Sequence, residues 1–202
     1  FNYAHMPERF LPQRRIKSED LPIAAAKLAM LENSVRQLTE AGYRYIGMDH
    51  FALPDDSLSL AQETGELHRN FQGYTTHGHC DLIGLGVSSI SQVGDLFSQN
   101  TSDIKAYQQC LGESRLAIAR GLTSGPEDHL RRAIIFQLIC HFSLWFPDIE
   151  ARFGIVFRDV FADRWPILEQ MQTDGLIRLD DDAIEVLPAG RLLVRSICMV
   201  FD

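Results

Sequence analysis

The sequence has no closely spaced cysteines, which excludes the usual patterns of zinc sites and compact disulfide frameworks. Its four cysteines lie thirty or more residues apart and form no C-x-x-C pair: Cys80, Cys110, Cys140 and Cys198. Both kinds of site need cysteines at short spacings. Cys140 and Cys198 fall within apolar runs, where a reduced cysteine packs as a small hydrophobic side chain. We therefore predict a structural role for these two cysteines and no metal site in this chain.

Basic residues and long apolar runs are also scarce. The 202 residues include 19 lysines and arginines against 27 acidic residues, which gives a formal net charge of −8. Such a charge repels nucleic acid and anionic membranes. No apolar run approaches the ~18 residues that a membrane-spanning helix needs, and no export signal is recognisable. We expect a cytoplasmic globular protein with no nucleic-acid or membrane partner.

The common short motifs of enzymes are missing as well. The sequence has no nucleophile elbow, phosphate-binding loop or paired-carboxylate motif. Gly73, Gly78, Gly84 and Gly86 do not form a dinucleotide-binding fingerprint, because that motif requires a strand, then glycines, then a helix. Function must therefore be sought in longer patterns.

Two adjoining segments carry the strongest positive signal. Residues 68–76 (HRNFQGYTT) gather polar side chains around Phe71 and Tyr74, and residues 81–91 (DLIGLGVSSIS) are apolar and contain glycines. They predict a loop over 70–80 followed by a buried strand. Binding sites are commonly built this way, because a scaffold fixes the geometry while a loop supplies the chemistry. A long polar connection with one aromatic anchor is the alternative interpretation.

The first part of the chain mixes helical and extended patterns. Apolar residues between 28 and 38 recur every three or four positions, which predicts one face of a helix. One strand is predicted over 43–51, a short helix from Ser57 to about residue 69, and the buried strand over 81–93. The opening residues 1–4 look like the end of a further strand.

A domain boundary is predicted near residues 121–126, where the pattern changes. Beyond it we expect helices over about 127–142, near 148 and over about 157–173, then strands over 176–179 and 183–186 and a last helix near 188. This order is winged-helix-like. Residues 126–202 carry eight arginines and no lysine against thirteen acidic residues, which is the wrong sign for DNA binding. A structural or lid-like module is the better interpretation.

Several polar residues are candidates for chemistry. His77 and His79, with the cysteine that follows, could ligate a metal, although a solvent-exposed turn explains them more simply. Asp49 and His50 could pair, but adjacent strand residues point to opposite faces, so we predict that they do not bond. Arg69 could clamp a carboxylate through two hydrogen bonds.

Longer motifs resemble those of the oxygen-independent coproporphyrinogen III oxidase family. They are MDHFA at residues 48–52, LHRNFQGYTT at 67–76, DLIGLGVSSI at 81–90, FNYAHMP at 1–7 and GRLLVRSICMVFD at 190–202. The likeness therefore extends over essentially the whole chain. Members of that family are radical S-adenosylmethionine enzymes of haem synthesis.

The resemblance implies a fold and a reaction. Residues 1–121 would form the C-terminal part of an incomplete (β/α) barrel, which is α/β in the whole enzyme and α+β in the fragment. Residues 122–202 would form a mostly helical, winged-helix-like domain. Family members hold a [4Fe-4S] cluster and two S-adenosylmethionine molecules. They oxidatively decarboxylate two propionates of coproporphyrinogen III to vinyl groups, giving protoporphyrinogen IX.

The sequence departs from the family in one respect. It contains no C-x-x-x-C-x-x-C, the motif that holds the cluster. Without these thiolates no cluster forms, so we expect the cluster ligands to lie outside this chain and the fragment alone to be inactive. We also expect the fragment to be unstable or to self-associate, because its strand at residues 1–4 would lack neighbours. The complete protein is expected to be a monomer.

Four positions match S-adenosylmethionine contacts of the family: Ala4, Phe71, Gln72 and Ile90. By the resemblance, Ala4 and Ile90 contact a bound molecule from their strands, while Phe71 and Gln72 line the second site. A phenyl face, an amide and backbone groups suit this ligand, although Ile90 equally suits core packing. None of the four is assigned a catalytic role.

Two other functions stay open at this point. A related haem-binding chaperone shares the radical S-adenosylmethionine scaffold but delivers haem without decarboxylation. Its members tend to show a His-Asn pair followed by Tyr-Trp, which differs from residues 68–76 here. The other alternative is a structural interaction domain with no inherited site.

Overall fold

The computed structural model describes residues 3–202. The chain divides into two compact units, Phe1–Leu60 and Ala61–Asp202. Helices and sheets occur together, so the fold is mixed α+β. Every strand pair within residues 3–202 is antiparallel, so the parallel pairing typical of a (β/α) barrel is not seen among them. No helix of this part combines the length and apolar character needed to cross a membrane.

The first unit contains one long helix and one hairpin. Its elements are 3-10 turns at Leu11–Arg15 and Ser18–Asp20, helix α1 (Ala24–Glu40) and strands β1 (Arg44–Gly47) and β2 (His50–Ala52), after which the chain enters helix α2 (Ser57–Thr64). The predicted helix around residues 28–38 is confirmed. Tyr3 and Ala4 belong to no strand, and the rest of the strand predicted at 1–4 lies outside the described residues.

The single strand predicted over 43–51 is instead a hairpin that turns at Met48 and Asp49. Met48 has a φ of 59°, in the left-handed region that interrupts an extended chain. Because Asp49 lies in this turn, the alternation of strand side chains does not apply to it. The Nδ1 atom of His50 lies 2.9 Å from Oδ1 of Asp49. The prediction that these side chains point to opposite faces was therefore wrong.

The second unit begins with a small hairpin and a three-stranded sheet. The elements are β3 (His68–Asn70), β4 (Gly73–Thr75), β5 (Ile90–Val93), β6 (Leu96–Asn100), helix α3 (Ile104–Gly112) and β7 (Ile118–Thr123), with sheet order β5-β6-β7. The predicted loop over 70–80 therefore contains part of a hairpin. The helix predicted to reach about residue 69 ends at Thr64, because Gly65 adopts a left-handed φ of 77°.

Only the last four residues of the strand predicted over 81–93 form one. The preceding segment contains no regular strand, and its Leu85 is 87% exposed. Gly86 and Ser88 adopt left-handed φ angles of 101° and 60°, which interrupt the pleat. Side chains replace the missing ladder, since Asn100 Nδ2 donates to the carbonyl oxygen of Gly86 at 3.0 Å. The segment is a loop that is held by side-chain hydrogen bonds and leaves apolar side chains exposed. The prediction of a buried strand was therefore wrong for most of it.

The C-terminal part combines short helices with a second three-stranded antiparallel sheet. The helices are α4 (Pro126–His141), α5 (Phe146–Phe153), α6 (Phe157–Val160), α7 (Trp165–Thr173), α8 (Pro188–Arg191) and α9 (Val194–Cys198). The strands are β8 (Ser143–Trp145), β9 (Ile177–Leu179) and β10 (Ala183–Val186), in the order β8-β10-β9. The first two predicted helices and both predicted strands are confirmed. The helix predicted over 157–173 is interrupted, because Pro166 lacks the N–H that a continuous helix needs.

Most of the fully buried apolar side chains lie in this C-terminal part. Helix α4 contributes Leu130, Ile134 and Leu138, which follow one face at four-residue steps. Phe146 and Phe157 stack with ring centroids 4.1 Å apart. Because burial of each such side chain stabilises a fold by ~1.5–3 kcal/mol, this core dominates the stability of the second unit.

Cys140 and Cys198 are both buried, and burial raises the pKa of each thiol to about 12. The cause is loss of hydration, which disfavours the charged thiolate. Both therefore stay protonated at neutral pH and pack as small apolar groups. The structural role predicted for these two cysteines is confirmed.

Gly190 provides a test of packing in the C-terminal core. A Cβ atom at this position would lie 2.0 Å from the carbonyl oxygen of Leu176, which is backbone and cannot rotate away. We expect Gly190→Ala to lower the free energy of unfolding by roughly 1–3 kcal/mol, measured by urea denaturation. The control is Gly112→Ala at the end of α3, where a Cβ would meet nothing within 4 Å. Equal stability of the two variants would contradict the packing argument.

Strand β7 predicts self-association of the isolated chain. It forms an edge of its sheet, is exposed at all six positions, and carries Ile118 and Leu122 at 47% and 64% exposure. Exposed apolar edges pair with other chains. We expect concentration-dependent association of the 202-residue chain in sedimentation, weakened by Leu122→Lys. The exposed helix residue Ile167 serves as the control, because Ile167→Lys should leave association unchanged. A monomer at every concentration would count against this expectation.

Candidate functional site

The four predicted contact residues fall in two places. Ala4 belongs to the first unit, is exposed, and its carbonyl oxygen accepts a hydrogen bond from Gln13 Nε2 at 3.1 Å. Phe71, Gln72 and Ile90 belong to the second unit. The geometry of a candidate site can therefore be built around these three residues.

Phe71 and Gln72 form the tip of the hairpin between β3 and β4. The Asn70 Oδ1 atom accepts a hydrogen bond from the backbone N–H of Gln72 at 2.8 Å, which closes the turn from within. Gly73 completes it with a φ of 136°. The tip leaves Phe71 56% exposed and Gln72 exposed beside it. An apolar ring and an amide thus stand together on a hydrogen-bonded turn.

The ring of Phe71 is supported from one side by the central strand of the sheet. It packs edge to face against Phe97 of β6, with centroids 5.8 Å apart and planes at 75°. The guanidinium of Arg132 from helix α4 lies 5.1 Å from the centroid of Phe97 and 5.1 Å from that of Phe136. Arg132 Nη2 also donates to Gln92 Oε1 at 2.9 Å. The hairpin tip, the sheet and helix α4 therefore meet at Phe97.

Ile90 begins strand β5, next to the strand that supports Phe71. Its side chain is half-buried and its Cα partner is Gln99. The backbone of Ile90 packs tightly against Gly84, where a Cβ would come within 2.6 Å of the Ile90 carbonyl oxygen. This approach requires glycine at position 84. The strand end is thus fixed by backbone packing as well as by the sheet.

A narrow polar cleft lies behind the hairpin. Its volume is about 20 Å³, and its lining includes His68, Asn70, Thr75, Arg132 and Phe136. A water molecule needs about 10–15 Å³ by this measure, so the cleft has room for little more than water. Residues 3–202 therefore present an open surface at the hairpin tip, and the cleft behind it is too small for a large ligand.

His68 is the main titratable group of this cleft. Its ring centroid lies 5.2 Å from that of His79, and its ring packs where a Cβ on Gly78 would clash. Burial lowers the pKa of His68, and the nearby His79, His141 and Arg132 lower it further by repulsion. The neutral imidazole is thus favoured, so His68 acts as a packing group with no added positive charge.

Arg69 turns toward the protein. Its guanidinium lies 4.8 Å from the centroid of the Tyr74 ring, and the Tyr74 hydroxyl donates to the carbonyl oxygen of Ile139 at 2.9 Å. The Nη1 atom is buried and bonds to no described group. Tyr74 therefore anchors the hairpin to the end of helix α4, and Arg69 packs over its ring.

The described residues do not suit a metal cluster. Among residues 3–202, no group of three or more histidine, cysteine or acidic side chains is placed to hold a metal ion. His77, His79 and Cys80 lie exposed in a turn. Cys140 and Cys198 are buried, and no third cysteine joins them in a metal-binding group among residues 3–202, so they do not fit an iron–sulfur cluster either.

Sequence reasoning missed the residues that join these elements: Gln92, Phe97, Arg132 and Phe136. Arg132 follows another arginine on a helix, and such pairs are usually solvent-exposed. The four-residue spacing of Arg132 and Phe136 was the available signal, because it places both on one side of α4. Only the tertiary structure brings that side against β5 and β6.

Comparison with known proteins gives consistent relationships. Residues 125–193 match the HemN C-terminal domain family. The whole chain is 65% identical to the oxygen-independent coproporphyrinogen III oxidase of Pseudomonas aeruginosa and 48% identical to that of Escherichia coli, and it covers 44% of each.

The structure resembles the coproporphyrinogen III oxidase HemN from Escherichia coli, described as a radical SAM enzyme. The TM-score is 0.93 at 48% identity, over all of this chain and 46% of that one. The chain therefore spans less than half the length of these relatives. Because all 202 residues align with the Pseudomonas aeruginosa enzyme at 65% identity, the chain belongs to the oxygen-independent coproporphyrinogen III oxidase family.

Proposed function

We propose that this chain is the C-terminal part of a cytoplasmic radical S-adenosylmethionine enzyme that converts coproporphyrinogen III to protoporphyrinogen IX. In that reaction each of two propionates loses a hydrogen atom, CO₂ and an electron, which leaves a vinyl group. S-adenosylmethionine, which Phe71 and Gln72 would help to hold, would supply the radical that takes the hydrogen atom, and the electron would pass to an acceptor outside this chain. The supporting observation is the hairpin tip, where an exposed ring and amide are presented together at Phe71 and Gln72.

The tip suits an adenosyl ligand on physical grounds. The partly exposed Phe71 ring offers an apolar face, and it is backed by Phe97 and so costs little further ordering. The Gln72 amide supplies both donors and an acceptor. Ile90 would contribute a further contact from the start of β5. Ala4, which lies in no strand, is proposed as a separate contact in the first unit. The two S-adenosylmethionine molecules would supply the radical and a second adenosyl group near these residues.

The cluster that such an enzyme needs would be held outside residues 1–202. The chain has no C-x-x-x-C-x-x-C, and its described cysteines do not converge. We therefore assign the chain no step of the radical chemistry. Its residues would bind, orient and shield, and the fragment alone would be inactive. The complete protein would act as a monomer.

The proposal also assigns a role to each of the two predicted domains. Residues 1–121 would form the C-terminal part of a (β/α) barrel, whose other strands would lie outside this chain. Residues 122–202 would form a winged-helix-like cover for the active site. The order α4, β8, α5, α7, β9, β10 and the sheet order β8-β10-β9 support the second assignment. The acidic balance of this region argues against a role in DNA binding.

The reaction can be tested on the complete protein, reconstituted with its cluster without oxygen. Coproporphyrinogen III, S-adenosylmethionine, a reductant and cell extract would be supplied, and products followed by mass. We expect loss of two CO₂ per substrate, dependent on S-adenosylmethionine. Stoichiometric haem binding without decarboxylation would instead indicate the chaperone. Binding of neither tetrapyrrole nor S-adenosylmethionine would leave only the structural interaction domain.

The role of the tip can be tested by Phe71→Ala and Gln72→Ala in that protein. Each removes contacts of ~1–3 kcal/mol, so we expect the concentration of S-adenosylmethionine that half-saturates activity to rise by roughly 10- to 100-fold. Trp145→Ala is the matched control, because Trp145 is aromatic and 51% exposed but lies on β8. A wild-type response to S-adenosylmethionine in both tip variants would exclude them from the binding site.

A further inference from the structure

We propose that Arg132 is a positioning residue that holds the Phe71–Gln72 tip and the Ile90 strand in their S-adenosylmethionine-binding geometry. This inference rests on the proposed function and deepens it. Arg132 would touch no ligand and would act only through Phe97 and Gln92. It would make helix α4, a C-terminal element, part of the support for the binding site.

The first step is the placement of the guanidinium between two rings. Arg132 is half-buried on α4, and its guanidinium lies 5.1 Å from the centroids of both Phe97 and Phe136. Phe136 stands one helical turn further along, so it forms a fixed wall for the side chain. The guanidinium therefore fills the space between α4 and β6. Its loss would leave Phe97 without a partner on that side.

The second step is the contact from Phe97 to the tip. Phe71 meets Phe97 at 75° with centroids 5.8 Å apart, an arrangement that aromatic pairs prefer. Phe71 is more than half exposed. Among the described residues, Phe97 is the one aromatic ring that it contacts. A shift of Phe97 toward the space left by Arg132 would therefore move or loosen Phe71.

The third step is the hydrogen bond to Gln92. Arg132 Nη2 donates to Gln92 Oε1 at 2.9 Å, and Gln92 is the Cα partner of Phe97 across β5 and β6. Gln92 lies two residues after Ile90, so both project to the same face of β5. The Arg132 guanidinium thus contacts both residues of one cross-strand pair. Phe97 connects it to the hairpin tip, and Gln92 connects it to the strand that begins at Ile90.

The charge balance around Arg132 is compatible with this role. Burial lowers the pKa of Arg132, and the carboxylate of Asp95 opposes that shift. A guanidinium stays protonated in proteins regardless. Asp95 also lies 3.3 Å from His129 Nε2, a second link from α4 to the turn between β5 and β6. Within residues 3–202, Arg132 and His129 both link α4 to the sheet, and Arg132 is the one that contacts Phe97.

The geometry explains why arginine is required. A planar guanidinium can stack on two rings while an N–H in its plane donates a hydrogen bond, whereas an ammonium on a flexible stem cannot do both. Arg132→Lys keeps the charge but loses this geometry. It therefore separates positioning from a simple electrostatic effect.

The test uses the complete reconstituted protein with Arg132→Met and Arg132→Lys. We expect both variants to raise the half-saturating S-adenosylmethionine concentration about tenfold, while the maximal rate falls less than threefold. The matched control is Arg131→Lys, because Arg131 is the neighbouring arginine on α4 but bonds to Glu127 and to the Phe201 carbonyl oxygen. It should behave as wild type. Full activity of Arg132→Lys would overturn the proposal.

Hydrogen exchange provides a readout that needs no activity. We expect amides of residues 68–75 and 90–93 to exchange faster in Arg132→Met than in wild type, with no change in Arg131→Lys. If Arg132→Met does not fold, Gln92→Leu removes only the acceptor and should accelerate exchange at 90–93. If the wild-type enzyme is active but hydrogen exchange is unchanged in Arg132→Met, the positioning role of Arg132 is overturned and the proposed function still stands. An inactive wild-type enzyme would instead overturn the proposed function, and with it the ligand assigned to the tip.

Discussion

The packing of helix α4 on two sides is the constraint on which the second unit depends. Leu130, Ile134 and Leu138 bury one face in the C-terminal core. Arg132 stands on another side, beside Phe136, and contacts Phe97 of β6 and Gln92 of β5. Because one helix serves both contacts, the position of the hairpin tip is linked to the integrity of a core that lies outside the candidate site.

This arrangement separates stability from function in the second unit. The core after residue 126 is rich in stacked aromatic rings and fully buried aliphatic side chains, which make it the stable part. The segments before it leave large apolar side chains exposed, including Leu85 and, on β7, Ile118 and Leu122. Such surfaces are expected where a site or an interface is formed with further protein. A rigid support and an open surface are the combination that a binding element requires.

Local patterns predicted helices α4 and α5 and strands β9 and β10 because each had a signal of its own, whereas strand β8 and the break before α7 were missed. Periodic apolar residues, a proline start and a glycine end mark a helix without reference to the rest of the chain. The strand expected over 81–93 failed for the opposite reason. Its apolar residues suggested burial, but Gly86 and Ser88 adopt left-handed φ angles and Asn100 replaces the ladder. Likewise Asp49 and His50 meet only because a turn replaced the expected strand.

The sequence by itself indicated the family, predicted contact positions at Phe71 and Gln72, and showed that the chain has no C-x-x-x-C-x-x-C motif. These are properties of residue identity and order, which need no coordinates. Tertiary structure decided what supports the tip. Phe71, Phe97 and Arg132 are distant in sequence, and no local rule places a guanidinium between two particular rings. Long-range packing creates that contact, because α4 buries Leu130, Ile134 and Leu138 in the core while Arg132 faces the sheet.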